Sequence, residues 1–325
     1  MNVQIQFAEV KPARKKNSFN KVCWIFIAII IAINIIGLYF GNLFYKRVTD
    51  TNKGINQYDK FKETFNEKRY ERLYKREVSL ASKHGYTING TYIRCEGDSK
   101  NTIILLHDFN GSRWSVMKYA DIYLSKGFNI LIYDAKGHGE SGGTNSTLGY
   151  DEKDDLDLMV DYIVAGNKHG TIGVYGQGLG GFTALLHSEL NKESKKVRFY
   201  IIDSSFSDVQ SYLTLKANKE YNLKNPLLVK PLIFYANVVN FYKSKFILSK
   251  TSITDALKDI STPMLFIHGK NDPDIPSSMT STLYKAKKDI KQLYLPNSNK
   301  HCNSYNDNTE EYRKKVLDFA EANTK

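Results

Sequence analysis

Residues 171–190 read TIGVYGQGLGGFTALLHSEL. An apolar, β-branched run leads into Gly176, Gly178, Gly180 and Gly181, and an apolar helix-forming stretch follows at once. The pattern predicts a buried strand, a turn too tight for ordinary side chains, and a helix. Similar short runs recur on both sides: TIILLH from Thr102, FNILIYD from Phe128, VRFYIID from Val197, MLFIHG from Met264 and KQLYLP from Lys291. Helical patterns near 114–125, 149–165, 179–190, 277–288 and 308–322 separate them. Such alternation predicts right-handed βαβ units in a mostly parallel, doubly wound sheet, an α/β fold. Residues 207–258 break the rhythm. They hold no strand pattern but contain NPLLVKPLIFYANVVNFY, expected as helices forming a lid over the carboxyl ends of the strands, where ligands bind in open α/β sheets.

The composition fits one large globular core. Of 325 residues, 42% are hydrophobic, with 46 Lys plus Arg against 34 Asp plus Glu, which excludes a disordered chain or a disulfide scaffold. The cysteines are Cys23, Cys95 and Cys302. They leave only a Cys95–Cys302 bridge conceivable and no structural zinc site, and neither a metal nor a cofactor is expected. The net charge of +12 invites a nucleic-acid reading. The basic residues, however, are scattered without aromatic interleaving on a binding motif, so no nucleic-acid partner is expected.

VCWIFIAIIIAINIIGLYFGNLFY, residues 22–45, carries no charge and would span about 36 Å as a helix, against a hydrocarbon core of about 30 Å. It is expected to cross a membrane. Lys11, Arg14, Lys15, Lys16 and Lys21 precede it, so the positive-inside rule leaves residues 1–21 as a cytoplasmic tail and the rest extracytoplasmic. A cleaved signal peptide would have a shorter apolar region and a small-x-small site after it. Residues 46–85 are expected as a charged helical stalk with Phe61, Phe65, Tyr70 and Leu73 as its apolar stripe, and residues 86–325 as one α/β domain.

The strand, turn and helix at Gly176-Gln177-Gly178-Leu179-Gly180-Gly181 have the context of a nucleophile elbow. Here the chain resembles the α/β-hydrolase superfamily, in its lipase, esterase and serine-aminopeptidase-like branch, from about Tyr86 to the C-terminus. The family pattern is Gly-x-Ser-x-Gly-Gly, and Gly178 stands at the nucleophile position. Leu106-His107-Asp108-Phe109-Asn110-Gly111-Ser112 resembles the family's His-Gly-x loop, which implies backbone oxyanion donors at Phe109 and Leu179. Asp108 replaces the family glycine, and a carboxylate turned inward there would oppose a developing oxyanion. His268-Gly269-Lys270-Asn271-Asp272 resembles the acid loop and makes Asp272 the triad carboxylate, with Asp274 as the runner-up. Asn299-Lys300-His301 resembles the loop that carries the catalytic base, His301. The superfamily's order of nucleophile, acid and histidine is kept.

Other nucleophiles are weaker. Gly139-Glu140-Ser141-Gly142-Gly143 matches Gly-x-Ser-x-Gly literally, but polar TNST follows instead of an apolar helix. The loop Asp134–Ser141 resembles the family's Asp-x-x-Gly-His-Gly-x-Ser loop instead. Ser112, Ser204, Ser205 and Cys302 are minor substitutes. The resemblance implies hydrolysis of a small ester or amide, a lipid or a peptide, by a serine mechanism if the hydroxyl at 178 is restored. As written, loss of the nucleophile removes about six orders of magnitude in turnover. The alternative is a natural pseudohydrolase that binds a lipid, peptide or protein partner. Restoring Gly178→Ser alone is expected to place a hydroxyl within reach of His301.

Overall fold

Among the described residues, seven of eight strands run in the same direction, and the sheet order is β1-β2-β4-β3-β5-β6-β7-β8, with β2 antiparallel to both neighbours. The computed structural model describes residues 18–51, 58–166 and 169–324. Lys11, Arg14, Lys15 and Lys16 of the basic tail, and residues 52–57 of the leading segment, lie outside the described residues. In chain order the elements are α1 (Ser18–Thr49), α2 (Tyr58–Phe61), α3 (Glu67–Arg72), β1 (Lys75–Ala81), β2 (Thr87–Ile93), β3 (Thr102–Leu106), α4 (Ala120–Leu124), β4 (Asn129–Tyr133), α5 (Glu152–Gly166), β5 (Ile172–Gln177), α6 (Leu179–Ser194) and β6 (Val197–Asp203). There follow α7 (Val209–Tyr221), α8 (Pro226–Ser244), β7 (Met264–Ile267), α9 (Ser277–Ala286), β8 (Lys291–Tyr294), α10 (Ser304–Asp307) and α11 (Thr309–Ala322).

The central strands are buried on both faces, which is why they read as continuous apolar runs. Their side chains still alternate. Ile104, Leu106, Leu131, Tyr133, Val174, Tyr200 and Ile202 join one core cluster with α5, α6, α7 and α8. Ile103, Leu105, Ile130, Ile132, Tyr175, Phe199 and Ile201 join the other with α4 and α11. This period of two is the pleat of the strand, and each strand thereby binds both helix layers to the sheet.

The expected stalk is not a free helix. Tyr58 and Tyr70 pack edge-on against Trp114, with ring centroids 4.9 and 5.7 Å away. Residues 75–81, KREVSLA, form β1, paired with β2 through a turn at Gly85, whose φ is +84°. Three of the seven residues of β1 are charged, as suits the edge of the sheet, where solvated side chains discourage further strand pairing. The helical pattern at 114–125 becomes a 3-10 segment, Arg113–Tyr119, running into α4. Residues 207–258 contain α7 and α8, as the lack of a strand pattern implied.

Helix α1 is long and apolar enough to cross a membrane, with a mean hydropathy of 2.6 in its candidate span, Lys21–Thr49. Its last turns enter the protein: Phe44, Tyr45 and Val48 are buried in the same cluster as Val229, Ile233 and Ala236 of α8. No flexible joint interrupts the helix between its exposed apolar part and the core. The conceivable Cys95–Cys302 bridge is absent. Both are free thiols, Cys95 buried in one core cluster and Cys302 beside His301.

Candidate active site

Four loops at the carboxyl ends of β3, β5, β7 and β8 meet in one place. The chain crosses from β4 on one side of β3 to β5 on the other, and this reversal opens a crevice between the two strand ends. Asp108 follows β3 and Gly178 follows β5. His107 shapes the first loop: its Nδ1 donates to the Asp108 carbonyl (2.7 Å) and its Nε2 accepts from the Ala135 N–H (3.0 Å). Asp134 ties in the next loop by accepting from the backbone N–H groups of Arg113 (2.7 Å) and Glu140 (3.1 Å). That is a scaffolding role for the Asp134–Ser141 loop.

Gly178 has φ +55° and ψ −115°, a conformation that strains any residue with a side chain. Its N–H donates to the Asp203 carbonyl (2.8 Å) and its carbonyl accepts the Phe182 N–H (3.1 Å), so the turn passes directly into α6. A Cβ at 178 would overlap the carboxyl group of Asp108. It would stand 2.8 Å from Oδ2, with Oδ1 and Cγ nearer still.

Asp108 is therefore turned inward, toward the elbow. Its Oδ1 accepts the Leu179 N–H (2.8 Å), and the Phe109 N–H also faces the carboxylate. Its Oδ2 lies 3.2 Å from His301 Nε2, while His301 Nδ1 is 2.7 Å from Asp272 Oδ2. This is the carboxylate expected from the sequence to oppose a developing oxyanion if turned inward. It lies in the volume a side chain at 178 would need and accepts the Leu179 N–H. Restoring a hydroxyl by Gly178→Ser alone therefore requires the Asp108 carboxyl group to move, a cost the sequence did not reveal.

The charges reinforce each other. Burial favours the neutral form of Asp108, but the hydrogen bond and charge of His301 and the two N–H groups outweigh it and hold the carboxyl below its ordinary range. Burial likewise opposes ionisation of Asp272, and hydrogen bonds from His268, His301 and the Ile275 N–H overcome it. At His301 burial works against protonation, while Cys302, Asp108 and Asp272 together hold the imidazole well above its ordinary range. The result is an imidazolium clamped between two carboxylates.

The other candidates are engaged elsewhere. Asp274 pairs with Lys219 (3.0 Å) and does not meet His301 among the described contacts. Ser141 is buried and donates to the Asp134 carbonyl (2.6 Å). Ser112 caps the 3-10 segment, Ser204 donates to Asp203 (2.7 Å) and Ser205 to the Phe206 carbonyl (3.0 Å). The Cys302 thiol lies 3.8 Å from Asp108 Oδ2, and burial followed by the charge of that carboxylate pushes it up to about 12. Sequence reasoning missed the support behind this loop, where Gln177 Nε2 donates to the Cys302 carbonyl (3.2 Å) and the Tyr119 hydroxyl (2.6 Å).

Asp108, Gly178 and His301 open on a cavity of about 260 Å³, whose walls include Phe206, Tyr212 and Lys216. Tyr212 and Lys216 belong to α7; α8 packs behind α7. A larger cavity, about 570 Å³, lies near Tyr74, Tyr92 and Asn129, at the amino ends of the strands, and contains none of these groups.

Comparison with known proteins agrees with this architecture. Residues 97–233 match the family described as serine aminopeptidase, S33. The uncharacterized protein YqkD of Bacillus subtilis is 33% identical over 295 residues, covering 90% of this chain and 94% of YqkD. The uncharacterized protein YfhR of Escherichia coli is 27% identical over 251 residues, covering 74% and 79%. Among solved structures, the Pyrococcus furiosus esterase Pf2001 superposes with a TM-score of 0.66 at 21% identity, covering 85% of this chain and 100% of the esterase. The α/β hydrolase GrgF of Penicillium gives 0.60 at 18% identity, covering 78% and 99%. With its sheet order, its elbow after β5 and a full-length relative at this identity, the chain belongs to the α/β-hydrolase superfamily.

Proposed function

We propose that this is a membrane-anchored member of the superfamily in which serine chemistry is silent and the cleft is kept as a binding site for a small molecule. One observation carries the reading: the Asp108 carboxylate occupies the space that a side chain at 178 would need. Gly178 and Asp108 are thus one coupled departure. Gly178, Asp272 and His301 correspond to the nucleophile, acid and base positions, and Phe109 and Leu179 to the oxyanion donors. Those donors are occupied by a permanent internal anion, which stands where the product carboxylate of ester hydrolysis would stand.

Two physical barriers keep the chain inert toward esters. No hydroxyl is present to attack, and His301 carries a proton where a general base must be free to accept one. A cavity of about 260 Å³ suits a small ester-like or amide-like molecule or one end of a lipid. The exposed part of α1, residues 22–40, supplies the anchor, shorter than the expected 22–45 because Phe44 and Tyr45 are buried in the core, and the charges before it favour an extracytoplasmic body.

The test is a fluorophosphonate probe on the full-length chain in detergent, together with membrane fractionation. No labelling and recovery in the membrane fraction are expected. Labelling of the unmodified chain, on any residue, would overturn the silent-site reading; full-length protein wholly in the soluble fraction would overturn the anchor.

A further inference from the structure

Helix α8 is apolar on two opposite faces. Val229, Ile233, Ala236 and Asn240 repeat at helical spacing and are buried against the body. Leu227, Phe234, Val238, Phe241 and Tyr242 repeat at the same spacing on the other side and are exposed, Leu227 by 79%, Phe234 by 60% and Tyr242 by 81%. A surface helix needs only one apolar stripe, and a second one this large marks a contact with something apolar outside the chain.

The position of α8 identifies that contact. It packs along α1. A side chain at Gly37 or Gly41 would overlap Tyr235, so the two backbones approach closely there. The Tyr235 hydroxyl donates to Asn34 Oδ1 (3.1 Å), which also gives the polar residue of the apolar run a partner. Further along, Lys243 lies over the Tyr45 ring at 4.6 Å, so the two helices ascend together. The exposed apolar part of α1, Val22 to Phe40, is about 28 Å long, already enough for the hydrocarbon core. Asn34 is six residues inside its end, about 9 Å deep along the helix. If α1 crosses the bilayer, Tyr235 cannot remain in water.

We propose that α8 is seated in the bilayer beside α1, with Leu227, Phe234, Val238 and Phe241 facing lipid acyl chains. This rests on α1 being a membrane span. The occupant is lipid because the helix that carries this exposed stripe packs along α1, whose own exposed apolar run is the membrane span. Lys230 and Lys245 are exposed on the same helix and its cap; their long stems let the ammonium groups reach the headgroups. The consequence for the cleft is direct. Since α8 backs α7, and α7 walls the cavity, the site is held at the membrane surface, where amphiphiles are concentrated.

The experiment places an environment-sensitive fluorophore at one added cysteine at a time in the full-length Cys23→Ser chain, with the Cys23→Ser parent labelled alongside as the blank for Cys95 and Cys302, in phosphatidylcholine vesicles that contain doxyl-labelled lipid. Leu227→Cys and Phe234→Cys report on α8, Ile29→Cys on α1, and Lys314→Cys on a solvated face. All four replace exposed side chains. Emission at 227 and 234 should be blue-shifted and fall at least about twofold with doxyl near the headgroup, as for an interfacial helix about 5–10 Å deep. Position 29 should be quenched most by doxyl near the chain ends, and position 314 by neither. Quenching at 29 without quenching at 227 and 234 overturns the seating of α8 and leaves the anchor intact. No quenching at 29 overturns the anchor and the inference with it. A blue shift at 227 and 234 that lipid does not quench means that protein, such as a second copy, covers the stripe, and also overturns the proposal.

Discussion

The carboxylate of Asp108 and the bare backbone of Gly178 compete for one volume, so substitutions at the two positions should be strongly coupled. Gly178→Ser alone meets two costs. The backbone at φ +55° and ψ −115° strains a residue with a side chain by about 1–3 kcal/mol. Overlap with the Asp108 carboxyl group adds a further overpacking cost of about 1–3 kcal/mol. Asp108→Gly removes the overlap but not the strain. A double-mutant cycle in urea should therefore show the double variant more stable than additivity allows by about 1–3 kcal/mol.

Activity should follow the same logic more steeply. In Asp108→Gly with Gly178→Ser, the hydroxyl gains the volume now held by the carboxylate. The Leu179 and Phe109 N–H groups are released to face an oxyanion, and His301 keeps only Asp272 as its anionic partner. The double variant should label with fluorophosphonate and hydrolyse a short activated ester, recovering part of the roughly six orders of magnitude that a missing serine removes. Gly178→Ser alone should stay dark. If the single variant labels as fast as the double, Asp108 does not block the elbow and the coupling argument is wrong. If the folded double variant is inert, the loops do not hold a catalytic geometry.

Three further outcomes follow from the same residues. His301 is raised above its ordinary 6.5, so the folded state retains a proton that the unfolded chain loses as pH rises past that value; stability should fall by up to about 1.4 kcal/mol per pH unit above pH 6.5. Asp108 and Asp272 are lowered, so their contribution is present above about pH 3.8 and is lost as pH falls below it. Urea midpoints for His301→Gln should decline less steeply between pH 7 and 9, and an unchanged slope would contradict the clamped imidazolium. With its thiol pushed up to about 12, Cys302 should react with iodoacetamide at pH 8 roughly a thousandfold more slowly than free cysteine, read by mass spectrometry; an ordinary rate would refute it. Gly41→Leu should overlap Tyr235 and lower the stability of the detergent-solubilised protein by about 1–3 kcal/mol, whereas no change would count against the α1–α8 contact.

The parallel strands were legible because each is buried on both faces and needs a continuous apolar run. The edge hairpin was not. KREVSLA and TINGTYI carry charges, asparagine and glycine, and they become strands only through pairing with each other and with β4. Context outweighs local propensity at such positions. The same limit appears at the site. Asp272 and His301 could be placed because each lies in the loop after a recognisable strand, and the structure brings them to 2.7 Å. Asp108 and Gly178 were readable only as two separate departures, since the sequence keeps them 70 positions apart. The β3–β5 pairing sets Leu106 opposite Gly176 and so carries the carboxylate onto the glycine. An aspartate fits after β3 because Gly178 presents no side chain to it, and the space beside Gly178 stays filled because the aspartate occupies it. Each substitution alone is a defect. Together they form a hydrogen-bonded arrangement in which two carboxylates flank His301, and this mutual dependence is what the proposed binding role rests on.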